Sequence, residues 1–184
     1  MKLHIFNPEH DIALAANQER FTAPHAGRRL RTDLGFIPAF WASEGDMVLV
    51  DDVEAAIEAR RHLSKFGKDV VFVTYADLKA FAFEDVESFQ VDPWGWDRTI
   101  KEQLLRANSN LQSFMPSDDT LAAIREMSSR RFAAEHLLPL LREAGEEKTV
   151  GEARYCKTME VVKQAMAQNV KSVLKSPWSS SGRG

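Results

Sequence analysis

A chain of 184 residues, 44% apolar and 28% charged, has the make-up of an ordinary globular protein and fits about one large domain or one and a half small ones. Its net charge of -3 argues against a general nucleic-acid binder, which needs a concentrated basic surface, but allows a small anion held by a few local cations. Cys156 is the only cysteine, so no intramolecular disulfide forms; the apolar run Leu3 to Phe6 is too short for a signal-peptide core or a membrane helix, and a cytoplasmic location is expected.

Lys2 to Phe6, bounded by Asn7-Pro8, predicts a first buried strand. Glu9 to Ala16 suits a helical turn or two, and Pro24 opens a helix through Leu34 that Gly35 ends. Met47 to Val50 is a wholly apolar second strand, covered on both faces. Asp51 or Asp52 caps a helix from Val53 to Phe66, with Glu54 three residues after Asp51 as in a capping box; Gly67 stops it. Asp69 to Thr74 is a third apolar strand, and strand, helix and strand at this spacing form a βαβ unit of a parallel sheet.

Residues 76–96 show no clean period. Asp97 caps a helix to Ala107, Ser117 or Asp118 another to about Met127, and Ser128 or Ser129 a third that runs past Leu141 to Gly145. A strand at 149–155, a helix at 158–168 and a strand at 171–175 follow, with no internal repeat. The order predicts an α/β protein: a Rossmann-like three-layer parallel-sheet domain over 1–125, then a partial α+β piece over 126–184. A two-stranded piece is marginal alone, so it is expected to lean on the first domain or on material beyond Gly184, the chain reading as a truncation.

The end of the chain carries the most chemistry. Val173-Leu174-Lys175 closes a short apolar run, which places Lys175 at a strand's carboxyl end, where open α/β sheets bind ligands. Small residues follow, so backbone N–H groups can turn toward an anion; Ser179, Ser180 and Ser181 add hydroxyl donors and Arg183 a fork suited to phosphate. Three or four charge-assisted bonds of ~1.5–3 kcal/mol each account for micromolar affinity. The same composition suits a flexible tail; the lysine-tipped run upstream favours the ligand loop. It is not a Walker A loop, because the lysine precedes the glycines.

From Val173 to Gly182-Arg183-Gly184 the segment resembles the strand and glycine-rich loop of ATP-grasp enzymes, and Met127-Ser-Ser-Arg-Arg-Phe132 is similar to the stretch opening that family's first helix, with Arg130 at the position of its lysine. The resemblance covers residues 126–184 by motif, and a Rossmann-like domain ahead of it agrees with the family's usual order. It implies an uncharacterised bacterial protein whose parent is an ADP-forming ligase: ATP phosphorylates a carboxylate, and an amine displaces the acyl phosphate. Lys175, Arg130, Ser179, Ser180, Ser181, Gly182, Arg183 and Gly184 then hold ATP, and the magnesium ligands are expected beyond residue 184. By itself the chain is expected to be inactive, and no catalytic residue is assigned. Serines stand here where the family often has glycines, and Pro177-Trp178 stiffens the loop's start.

Glu9, His10 and Asp11 follow the first strand at another carboxyl-end position, as acid–base groups or a seat for the second substrate; the alternative is a capped turn. His25, Arg28, Arg29 and Arg31 gather on one helix behind Pro24, and Arg28 is the candidate for a substrate carboxylate or phosphate, against a merely solvated face. A metal held by Glu9, His10 and His25 fits no known spacing, and none is expected. Trp94 and Trp96 read as a lid on the core in preference to a recognition surface, and Cys156 as inert. A non-catalytic binding or nucleotide-sensing module is the competing class.

Overall fold

The structure, a computed structural model, describes residues 1–62, 65, 67–82, 88–145, 148, 151–169 and 171–179. The chain divides into two compact units, Met1–Leu121 and Ala122–Gly184.

The first unit is α/β. Four strands, β1 (Lys2–Ile5), β2 (Met47–Leu49), β3 (Val71–Val73) and β4 (Gln90–Pro93), form one parallel sheet in the order β3-β2-β1-β4. Helices α1 (His10–Ala16) and α2 (His25–Leu34) and a 3-10 turn (Ile37–Phe40) link β1 to β2; α3 (Val53–Arg61) links β2 to β3, and α4 (Tyr75–Ala80) links β3 to β4. After β4 come α5 (Arg98–Ala107) and a second 3-10 turn (Ser109–Phe114).

Side chains alternate across a strand, so one run of residues feeds two cores. Leu3, Ile5, Met47, Leu49 and Val73 pack with Leu78 of α4, Ile100 and Leu104 of α5, and Leu111. The intervening Val48 and Phe72 pack, with Val50, against Ala39 of the first 3-10 turn and Ala56 of α3. Both faces are covered, which is why β2 reads as an unbroken apolar run.

His4, on the second face, is the polar exception. Its Nε2 lies 3.1 Å from Asp46 Oδ2, and its Nδ1 lies 3.1 Å from Asp92 Oδ2, outside hydrogen-bonding alignment. Asp46 also accepts the backbone N–H groups of Lys2 (2.8 Å) and Ser43 (2.9 Å). Burial pushes its carboxyl up, but the Ser43 and Lys2 amides and His4 together outweigh burial and hold it below its ordinary value of 3.8. A carboxyl depressed in the folded state stabilises above its unfolded pKa, and that stabilisation is lost as pH falls through the folded pKa. Urea midpoints followed below about pH 5 should therefore fall less steeply in Asp46→Asn than in the parent protein; parallel acid limbs would refute this.

Local signals decide most boundaries. Asp52 caps α3 by accepting from Ala55 N (3.0 Å), and Glu54 closes no capping box. The expected end of that helix, Phe66, lies outside the described residues. A capping box does form at α4, where Thr74 and Asp77 satisfy each other's backbone N–H groups. Neither α4 nor β4 was expected from the sequence, and both fall in the stretch without a clean period.

Helix α6 (Asp118–Met127) begins in the first unit and ends in the second, ahead of Ser129, whose hydroxyl caps α7 (Arg130–Phe132) by accepting from Phe132 N (3.1 Å). The helix continues as a π-helical segment (Ala133–Leu137) and then α8 (Leu138–Glu143). Pro139 supplies the reason: it has no N–H to give and its ring crowds the carbonyl four residues back, so the ladder widens and Leu138 N donates to Ala133 O, five residues back. Gly145 then turns the chain at φ +82°. After α9 (Met159–Gln168), capped by Thr158, no further helix follows among the described residues. The strands expected at 149–155 and 171–175 are not present: residues 151–155 and 171–175 pair in no ladder, and 149, 150 and 170 lie outside the described residues. Three to five apolar residues without a partner strand do not hold a ladder. Among the described residues, no helix is long and apolar enough to cross a membrane.

Candidate functional site

A sheet ordered 3-2-1-4 reverses direction beside β1, because β2 continues on one side of it and β4 on the other. The loops leaving the carboxyl ends of β1 and β4 must part there, which opens a crevice. The structure has a cleft of about 710 Å³ at that place, reached by Asn7 and Glu9 after β1, Asp51 after β2, Tyr75 after β3 and Asp97 after β4. Helices α2 and α5 add Arg28, Arg31 and Gln103.

Arg31 organises the interior. Its Nη1 donates to Glu9 Oε1 at 2.9 Å and to Gln103 Oε1 at 3.3 Å, and its Nη2 donates to Tyr75 Oη at 2.6 Å. The Tyr75 hydroxyl in turn donates a hydrogen bond to Gln103 Oε1 at 3.1 Å. The Arg31 and Glu9 side chains are only 17% and 11% exposed, so this is an ion pair shielded from water. Burial opposes the charge on Arg31, but Tyr75, Glu9 and Asp51 outweigh it and hold its pKa above the ordinary value. Burial likewise pushes the Tyr75 phenol up, with Arg31 opposing, so the phenol is neutral near pH 7. Glu9 Oε2 is buried and has no donor among the described residues.

A second network locks the floor. Asn7, fully buried, clasps Gly95 with two bonds, Nδ2 to Gly95 O (2.8 Å) and Gly95 N to Oδ1 (3.2 Å), and reaches Asp97 Oδ2 at 3.4 Å. Asp97 caps α5 by accepting from Ile100 N (2.9 Å), and its Oδ2 accepts from His10 Nδ1 (3.1 Å). The His10 ring lies so close over Gly95 that a Cβ there would stand 2.2 Å from Cδ2. Gly95→Ala should therefore turn His10 away from Asp97 and cost about 1–2 kcal/mol in urea unfolding. An unchanged His10 imidazole signal in NMR would count against this.

Of the candidates read from the sequence, Glu9 and Arg28 line the cleft. His10 sits behind its wall on Asp97, and Asp11 lies in the first turn of α1, outside the lining. Arg31, Tyr75, Gln103 and Asn7 were missed as site residues. Asn7 alone had a readable signal, its place directly after the first strand. Among the described residues no group of three His, Cys, Asp or Glu side chains is placed to hold a metal. Trp96 packs on the core as expected, but Trp94 is 62% exposed, edge-to-face with Phe6 at 5.8 Å and tilted against Trp41 at 6.1 Å.

In the second unit, Arg130 is bound to the chain itself. Its backbone N donates to Pro177 O (2.9 Å), its Nη1 to Ser176 O (2.7 Å) and its Nη2 to Ser179 O. The Trp178 indole donates to Arg125 O (3.0 Å), with the Arg125 guanidinium 3.9 Å from its ring centroid. Residues 176–179 are thus fastened to the start of α7, and Arg130 is not on a solvated face. Lys175 is exposed and precedes this clamp; Ser180, Ser181, Gly182, Arg183 and Gly184 lie outside the described residues. No protein-family model matches the sequence, and no curated protein or solved structure is detectably similar to the chain.

Proposed function

We propose that the first unit is a Rossmann-like ligand-binding domain whose cleft seats a small polar substrate, in a parent protein that is an ATP-grasp-type, ATP-dependent carboxylate ligase. The observation that carries the binding site is the convergence of Glu9, Arg31, Tyr75 and Gln103 on one cleft at the carboxyl ends of the strands, where four loops meet. The order β3-β2-β1-β4 supports the Rossmann-like reading, matching the first four strands of the order 3-2-1-4-5-6.

The nucleotide half of the reading rests on the resemblance of residues 173–184. Lys175 would meet the phosphates of ATP, and Ser179 to Gly184 would close over them, charge being stabilised electrostatically as in other phosphoryl transfers. Magnesium would be held by residues beyond 184. Calorimetric titration of Mg-ATP into the protein and into Lys175→Ala tests it. Micromolar binding weakened about tenfold by the substitution, equivalent to ~1.4 kcal/mol, is expected; equal heats would remove the role given to Lys175.

A second reading, a nucleotide-binding or sensing unit without turnover, is favoured by one observation. The Arg130 guanidinium donates to the carbonyls of Ser176 and Ser179 and so fastens residues 176–179 to the start of α7. Binding of Mg-ATP by the parent protein without ADP formation, across a panel of carboxylates and amines, would select this reading.

A further inference from the structure

Among the described residues, the cleft leaves one buried carboxylate oxygen without a donor and one exposed guanidinium without an ion pair. In the interior Glu9 pairs with Arg31, while Asp51, exposed and hydrogen-bonded to Thr32, acts on Arg31 from beyond ion-pair range. Tyr75 adds no charge. Glu9 gives one carboxylate oxygen to Arg31, and its Oε2 is a buried acceptor with no donor among the described residues. Such an oxygen calls for a hydrogen bond, most strongly from a cation.

The rim supplies a cation. Arg28, exposed, gives one bond from Nη1 to Ala23 O (2.6 Å) and has no carboxylate within ion-pair distance among the described residues. One of its five donors is thereby committed, leaving the rest of the fork for a ligand. The two charges are neighbours. Gly27, next to Arg28, sits where an added Cβ would stand 3.5 Å from Glu9 Cβ, and Arg31, one turn beyond Arg28, holds the other oxygen of Glu9. The remaining charged groups of the lining are satisfied: Asp97 by Ile100, Asn7 and His10, and Arg106 by Glu102.

We propose that the cleft takes a small zwitterion, an α-amino acid or a compound of that kind, with its ammonium on Glu9 Oε2 and its carboxylate on the Arg28 fork. This rests on the cleft being the ligand site, as argued above, and specifies the chemistry of its occupant.

Amide spectra of the ¹⁵N-labelled protein, titrated with each standard amino acid, test it. At least one is expected to shift the amides of residues 7–9 and of α2 saturably. Its N-acetyl and carboxamide derivatives should each bind at least about tenfold more weakly, one charged contact being lost in each. Glu9→Gln should weaken the free amino acid by a similar factor and leave the N-acetyl form unaffected. Arg28→Met, at an exposed site that does not threaten folding, should weaken the free amino acid and leave the carboxamide unaffected. If no amino acid shifts these amides, or if the N-acetyl and carboxamide forms bind as well as the parent compound, the proposal fails. Shifts in the same amides from sugars, dicarboxylates or Mg-ATP, with none from amino acids, would overturn the zwitterion and leave the cleft as a ligand site. Silence from every probe would overturn both.

Discussion

Replacing Arg31 by methionine is expected to destabilise the first unit by about 3–5 kcal/mol, the range for removing one partner of a buried ion pair. Methionine keeps much of the apolar stem, so lost packing contributes little. The cost comes from what is left behind. Glu9, only 11% exposed, would lose its only donor among the described residues, and the Tyr75 hydroxyl and Gln103 carbonyl would each lose a charge-assisted bond. Urea unfolding gives the magnitude. The cause follows from the Arg31→Met, Glu9→Gln double variant, which removes the stranded charge and should recover more than about 1 kcal/mol through coupling. Strict additivity, or a loss below about 1 kcal/mol, would mean that water reaches the pair and that the interior is not a shielded electrostatic site.

Asp97→Ala should cost about 2–3 kcal/mol, made up of a lost helix cap and two stranded donors. The cap on Ile100 N alone accounts for about 1 kcal/mol. The rest comes from Asn7 Nδ2 and His10 Nδ1, both of which now give to Asp97 Oδ2. Asp97→Asn separates the parts, since an amide can still cap through its oxygen but presents one acceptor where the carboxylate had two. It should fall between the parent and the alanine variant and change the ¹⁵N pattern of the His10 ring. If Asp97→Asn costs nothing, the cap alone matters and the His10 contact contributes nothing; if both variants cost the same, the cap contributes nothing.

The parts of the fold that can be read along the chain are those whose signals are local. The second strand is all apolar because both its faces are covered; Asp52 is a cap because its carboxylate reaches three residues on; Gly145 ends a helix because it accepts φ +82°. The fourth strand has no such signal. Gln90-Val-Asp-Pro is short, polar and ends in proline, and becomes a strand because β1 offers it a ladder at the sheet's edge. The helix at Tyr75 was legible in principle, since Thr74 and Asp77 have capping-box spacing. In the second unit the opposite error occurs. Val173-Leu-Lys175 has strand composition, but composition without a partner yields no strand among the described residues.

The site divides in the same way. Glu9 could be suspected because residues after a buried strand of an α/β sheet tend to face ligand, and Arg28 because it follows a proline-led helix start. Arg31 was noticed only as one of a basic run. Its importance depends on Tyr75 and Gln103, 44 and 72 residues away, and no spacing rule relates them. His10 was singled out for the right neighbourhood, but its partner Asp97 places it behind the cleft wall.

The strand order also sets a timetable for synthesis. β1 leaves the ribosome first and can pair with β2 as soon as Leu49 is free, but its other neighbour, β4, begins only at Gln90. At roughly 5–20 residues per second, the intervening stretch of about 40 residues takes some 2–8 s. Through that interval the β1 edge that will receive β4 is unpaired, and Asn7 has no Gly95 to clasp. Truncated nascent chains ending before Asp97 should thus be the ones that recruit holdases or are nicked by protease. The cleft is the last part of the first unit's sheet to be made, although the residues after β1 that line it emerge before the other three strands.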